Sequence, residues 1–226
     1  MARILSVLAA LVISFPAMAA TLEGVSNTEA ASGLKQALAD GSAAAVGILG
    51  RENGFFGNPK VKIPLPPALQ RVESALRFAG MKRQADELVL AMNRAAEAAV
   101  PEAKALLVDS VKRMSVQDAR GILTGGDTAA TEYFRRTTES QLMKRFLPIV
   151  KQQTDRAGLS EQYNSLAGQG VQLGLIKQDQ STIESYVTRK ALDGLYLMIA
   201  EQEKSFRQNP LGASSDIVKR VFGAMR

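Results

Sequence analysis

From Ser26 onward, apolar residues recur three and four apart through most of the chain, and the alternation expected of strands is nearly absent. Leu34, Ala37, Leu38, Ala45 and Ile48 make one helical face behind the cap candidates Ser26, Asn27 and Thr28. Ala85, Leu88, Val89, Met92, Ala96 and Ala99 make a second. Leu106, Leu107, Ser110, Val111 and Met114 make a third, begun by Pro101, whose fixed φ and missing N–H suit a first helical turn. Ser115 with Asp118 opens a short helix, Asp127 or Thr128 caps the next, and Thr138 with Gln141 has capping-box spacing for another. Ser181 with Glu184 has the same spacing ahead of the longest pattern. There the stripe Ile183, Val187, Ala191, Leu195 and Met198 is flanked by Leu192, Tyr196 and Ile199, which predicts a buried central helix. Pro148, between Phe146 and Ile149, is expected to kink or split its helix. The pattern predicts an all-α fold, a multi-helix bundle in one domain over residues 20–226, with glycines such as Gly121, Gly125, Gly126 and Gly158 at the breaks.

Three segments depart from this pattern. Residues 50–67 hold four prolines and three glycines and set Lys60 and Lys62 against Val61, Ile63 and Leu65, so they predict a stiff extended arm with one basic and one apolar edge. Residues 1–19 run from Arg3 through an apolar stretch to Pro16 and the small residues Ala17 and Ala19, the order of a secretory signal peptide cleaved before Ala20. The apolar stretch is shorter than the roughly 20 residues a membrane span needs, and no later segment qualifies. The expected location is the periplasm. Residues 215–226 place Ile217, Val218, Val221 and Phe222 opposite Lys219, Arg220 and Arg226, either to dock on the bundle or to rest on an anionic membrane surface.

Composition then narrows the chemistry. The chain has no Cys, His or Trp. Thiol and imidazole catalysis, disulfides, and zinc sites built on those ligands are therefore closed. Carboxylates, Lys, Tyr, Ser and Thr remain. Loss of the signal segment leaves 27 basic residues against 22 acidic, and the two signs mix within each helical segment. No basic stripe with interleaved aromatics forms, so no nucleic-acid partner is expected.

Four blocks then point to a family: NPKVKIPLP, MNRAAEAAVPEAK, ILTGGDTAATEYFRRTT and KALDGLYLMIAEQEKSFRQNP. In this order they resemble the bacterial exported family called domain of unknown function 4197, across essentially all of the chain after the signal segment. The resemblance implies a helical exported protein and brings no catalytic residue, ligand or cofactor with it.

Function has to be sought in the residues themselves. Thr124-Gly125-Gly126-Asp127-Thr128 is a glycine turn running into a helix, where backbone N–H groups can face an anion. Asp127 is the expected occupant of those N–H groups, and no Lys follows the glycines as a phosphate loop requires. Tyr133, Arg135 and Arg136 combine an aromatic ring with two guanidinium groups that can grip a carboxylate or phosphate. The competing reading places both Arg near a helix C-terminus and Tyr133 with Phe134 in the core. Glu97, Glu102, Asp109 and Asp127 are the candidate oxygen ligands for a metal, though Glu97 equally suits a buried acid paired with Arg94 or Asn93, and no metal or other cofactor is expected. Phe55 and Phe56 either tuck the arm onto the bundle, or the arm closes over a groove or offers its extended Lys60 to Leu65 edge to a partner strand. The favoured function is periplasmic binding of an envelope protein, or of an apolar or anionic small molecule, by Phe55, Phe56, Tyr133, Arg135 and Arg136. The alternatives are a metal-assisted hydrolase using Glu97, Asp127 or Tyr133, and an envelope scaffold without a pocket.

Overall fold

The computed structural model describes residues 26–66, 70, 82–158, 182–209, 216 and 219. The signal segment 1–19, Ser181, the side chain of Ala85 and all of the tail but Asp216 and Lys219 lie outside the described residues. Six α-helices are described: α1 (Asn27–Leu49), α2 (Lys82–Ala99), α3 (Ala103–Arg113), α4 (Val116–Leu123), α5 (Ala129–Arg156) and α6 (Ile183–Gln208). A 3₁₀ turn, Val100–Glu102, carries Pro101 and joins α2 to α3. No strand occurs among the described residues. The all-α reading therefore holds.

Local sequence sets several helix ends. Ser26 accepts from the Glu29 N–H while the Glu29 carboxylate accepts from the Ser26 N–H, closing a capping box at α1. Ser115 and Asp118 do the same at α4. The Ser115 hydroxyl and N–H hold the Asp118 carboxyl below its ordinary value of 3.8, with Arg136 adding a smaller pull. A lowered carboxylate pKa contributes stability that is present above the unfolded value and lost as pH falls through the folded one. Ser115→Ala is therefore expected to cost about 1 kcal/mol at neutral pH, and less in acid once Asp118 is protonated; urea melts at the two pH values check it. At the other end of α5, Gly158 adopts φ +65 and its N–H donates to the Asp155 carbonyl, a left-handed close that glycine makes without steric cost.

One expectation fails in α5 and another is narrowed. Thr138 does not start a helix; it lies inside one, donating to the Phe134 carbonyl at 2.6 Å and pairing with the Tyr196 hydroxyl at 2.9 Å. Pro148 does not split the helix, which runs unbroken from residue 129 to 156 with Pro148 on its exposed side. α6 is capped one residue later than the spacing suggested, by Thr182 accepting from the Ser185 N–H.

α5 and α6 pack antiparallel, since Glu203 meets Ala130 and Thr131 while Tyr196 meets Thr138. α2 packs on both, and α1 packs on α3, α4 and α6. Leu34, Leu49, Met92, Leu107, Phe134, Leu142, Phe146, Ile183 and Leu195 are enclosed in one continuous core. Each such side chain contributes roughly 1.5–3 kcal/mol of transfer free energy. The α6 stripe read from sequence is buried along its whole length. Tyr196 lies in that stripe; burial raises its phenol to about 12, the Thr138 hydrogen bond opposing, so it stays neutral at ordinary pH.

Candidate functional site

The arm is where polar side chains from several helices converge. Its first half is not extended: residues 51–57 form successive turns, with Asn53 at φ 64. At their end the N–H groups of Phe55 and Phe56 both donate to one Glu97 oxygen, Oε1, at 3.0 Å each. The second oxygen accepts from Arg94 Nη1. Arg94 Nη2 reaches back to Glu52 Oε1 and Asn53 Oδ1, both at 3.0 Å, and so braces the residue with positive φ. Glu97 is 4 % exposed, and a carboxylate so buried is tolerated only when donors surround it. Of the two neighbours expected for it, Arg94 is the partner and Asn93 is not. Asn93 instead accepts from the Ile63 N–H and donates to the Ile63 carbonyl, both at 2.8 Å, standing in for a strand neighbour.

Beyond the turns, Val61, Ile63 and Leu65 are buried while Lys60, Lys62 and Pro64 are exposed. The Tyr186 hydroxyl donates to the Pro64 carbonyl at 3.1 Å, and Lys60 pairs with Glu201 on α6. The outward edge offers little to a partner strand. The Lys60 and Lys62 N–H groups already donate to Asn58 oxygens, and Pro64 has no N–H.

Phe55 and Phe56 separate at this point. The Phe55 side chain is fully buried and lies against Gly194 of α6. Phe56 is half-buried, carries the Lys62 ammonium 4.2 Å from its ring centroid, and borders a solvent-open depression of about 490 Å³ with Arg83, Asp86, Glu87 and Leu90. Arg83 and Glu87 face each other there at 3.6 Å.

The remaining candidates lie elsewhere. Tyr133 is in the core and donates to the Ser110 carbonyl at 2.9 Å. Arg135 stacks 4.5 Å over Tyr196 and faces Asp193 and Glu139; Arg136 lies 5.5 Å over Tyr133 and faces Asp118. Both Arg sit in the first third of α5, not near its C-terminus as one reading had it. No hydrogen bond, ion pair or ring contact joins them to Phe55 or Phe56. Glu102 and Asp109 face Arg145 and Lys112, at 3.8 Å in each case, and among the described residues no three acidic groups converge as metal ligands.

The glycine turn holds the main correction. Asp127 is exposed and does not cap α5, whose cap position, Thr128, bonds instead to Glu132. Thr124 ends α4 by donating to the Arg120 carbonyl, and Gly125, though exposed, sits where a Cβ would come within 2.7 Å of the Ala129 Cβ. Gly126 is exposed. The anion at this helix start is Glu203 of α6, which accepts from the N–H groups of Ala130 and Thr131 and from the Thr131 hydroxyl, all at 3.0 Å. Arg207 neutralises it at 2.8 Å and donates to the Ile122 carbonyl, tying α6 to the end of α4. The sequence carried a signal for this. Glu203 continues the apolar stripe four residues after Ile199, and an acid on a buried stripe needs donors from elsewhere.

With this geometry in view, residues 24–223 match the family described as Protein of unknown function (DUF4197), and the chain belongs to that family. No curated protein and no solved structure matches it.

Proposed function

We propose that this DUF4197 member is an exported, periplasmic, non-catalytic helical protein that binds an envelope protein through the depression beside Phe56. The observation that carries the proposal is the use made of the chemically capable residues. Glu97 is saturated by two backbone N–H groups and Arg94, and Tyr133 bonds to a backbone carbonyl, while Asp127 is exposed to solvent. Among the five candidate contact residues, Phe56 borders the depression, whereas Phe55 and Tyr133 fill core and both Arg face carboxylates. An open apolar floor of Phe56 and Leu90 rimmed by Arg83, Asp86 and Glu87 has the make-up of a protein contact. With Lys62 over the Phe56 ring, two cations balance the two acids there, so an anionic ligand gains no net attraction. The order of residues 1–19 supports export.

The test places a photo-crosslinking amino acid at position 56 in intact cells. One discrete envelope-protein adduct is expected from position 56 and none from position 136; the same adducts from both, or none from 56, would remove the depression from consideration. In the purified pair, Phe56→Ala should weaken binding about tenfold or more, as for a buried aromatic anchor, and Arg135→Ala with Arg136→Ala less than about threefold. Intact mass of the mature chain should begin at Ala20.

A further inference from the structure

Two consecutive N–H groups that converge on one oxygen form an anion-binding nest. At Phe55 and Phe56 the bound anion is Glu97 of the chain itself. We infer that Glu97 is the positioning residue of the Phe56 contact face: its Oε1 fixes the peptide planes at 55 and 56, and through them the direction in which the Phe56 ring leaves the arm.

The surrounding geometry leaves this task to Glu97. Phe55 is wedged against Gly194 and cannot turn freely, so the backbone at 56 is the adjustable element. The Asn58 N–H donates to the Phe55 carbonyl and the Gly57 N–H to the Asn53 carbonyl, which closes the turn around those planes. Arg94 holds the second oxygen of Glu97 and the Asn53 side chain together, so carboxylate and turn are fixed in one frame. Lys62 then covers the Phe56 ring from the exposed side. Glu203 with Arg207 makes a related cap at Ala130 and Thr131, but there each N–H has its own oxygen, Ala130 on Oε1 and Thr131 on Oε2. At Glu97 both N–H groups meet one oxygen, and the second of them belongs to the half-buried Phe56.

The inference rests on the proposed role of Phe56 for its meaning in binding, but its test needs no partner. With 4-fluorophenylalanine incorporated at position 56 of the full chain, the fluorine resonance reports the ring and amide exchange reports the nest. In Glu97→Ala the resonance should move and exchange at residues 55 and 56 should quicken about tenfold or more. Added acetate, supplying the missing carboxylate, should return both toward wild type. Glu97→Gln keeps an oxygen at the Oε1 position while losing the charge that holds Arg94, and should keep slow exchange at 55 and 56.

An unmoved resonance in Glu97→Ala overturns the inference. Where acetate fails to restore it, or Glu97→Ala does not fold, Glu97→Gln decides: slow exchange supports the inference and fast exchange overturns it. Failure of crosslinking from position 56 removes the binding role alone and leaves the fluorine result standing.

Discussion

Glu203→Ala is expected to cost about 3–5 kcal/mol, among the largest losses available from a single change in this chain. The side chains of Glu203 and Arg207 are 3 % and 11 % exposed, so removing the acid leaves a cation nearly out of water. It also strips the acceptor from the N–H groups of Ala130 and Thr131, which are buried at the start of α5. Both consequences act on the packing of α5 against α6, which runs the length of the bundle. Arg207→Ala should be costly for the mirrored reason, and the double variant should lose less than the two singles together, by about 0.5–3 kcal/mol. Urea unfolding of the four proteins, compared at equal m-value, measures this. A loss below about 1 kcal/mol for Glu203→Ala would show the pair to be solvated and the cap dispensable.

The helices were legible because their information is local. The stripes on α3 and α6 are buried where periodicity put them, as is that on α1 except for the half-buried Ile48; Ser26, one of three cap candidates, caps α1, and the Ser115–Asp118 box forms as spaced. Two of the failures share one cause, which is that the competing interaction comes from far along the chain. Thr138 has capping-box spacing, yet Tyr196, 58 positions away, takes its hydroxyl within a continuous helix. Asp127 is well placed to cap α5, yet Glu203, more than 70 positions on, reaches the N–H groups first. At the arm the sequence showed a buried acid beside Arg94 and an amphipathic extended run. It did not show that Asn93 would act as the missing strand, because an amide side chain carries no periodic signature. Phe55 and Phe56 were indistinguishable as neighbours in a glycine-flanked loop. Only the packing of one ring against Gly194 separates the fully buried Phe55 from the half-buried Phe56.

That packing gives the second large effect. Phe55 is fully buried, and Phe55→Ala should cost about 3–5 kcal/mol through lost transfer energy and the cavity left between the arm and α6. Gly194 offers the complementary experiment. It lies inside α6, where replacing glycine by alanine ordinarily gains about 1 kcal/mol of helix propensity. Here a Cβ would sit 2.7 Å from Phe55 Cε1 and 3.2 Å from Val61 Cβ, so Gly194→Ala should instead destabilise by about 1–3 kcal/mol. The added methyl would meet a ring that is itself fully buried, and this sets the expected sign. In the Phe55→Ala background the closer obstruction is gone, leaving Val61 Cβ at 3.2 Å, and Gly194→Ala should recover most of its ordinary stabilising effect. A reversal of sign between the two backgrounds, read from unfolding midpoints, would establish that the glycine serves the arm. Equal effects in both would mean that the arm yields to the added methyl group, and the close seat of Phe55 on α6 would lose its role in fixing the fold.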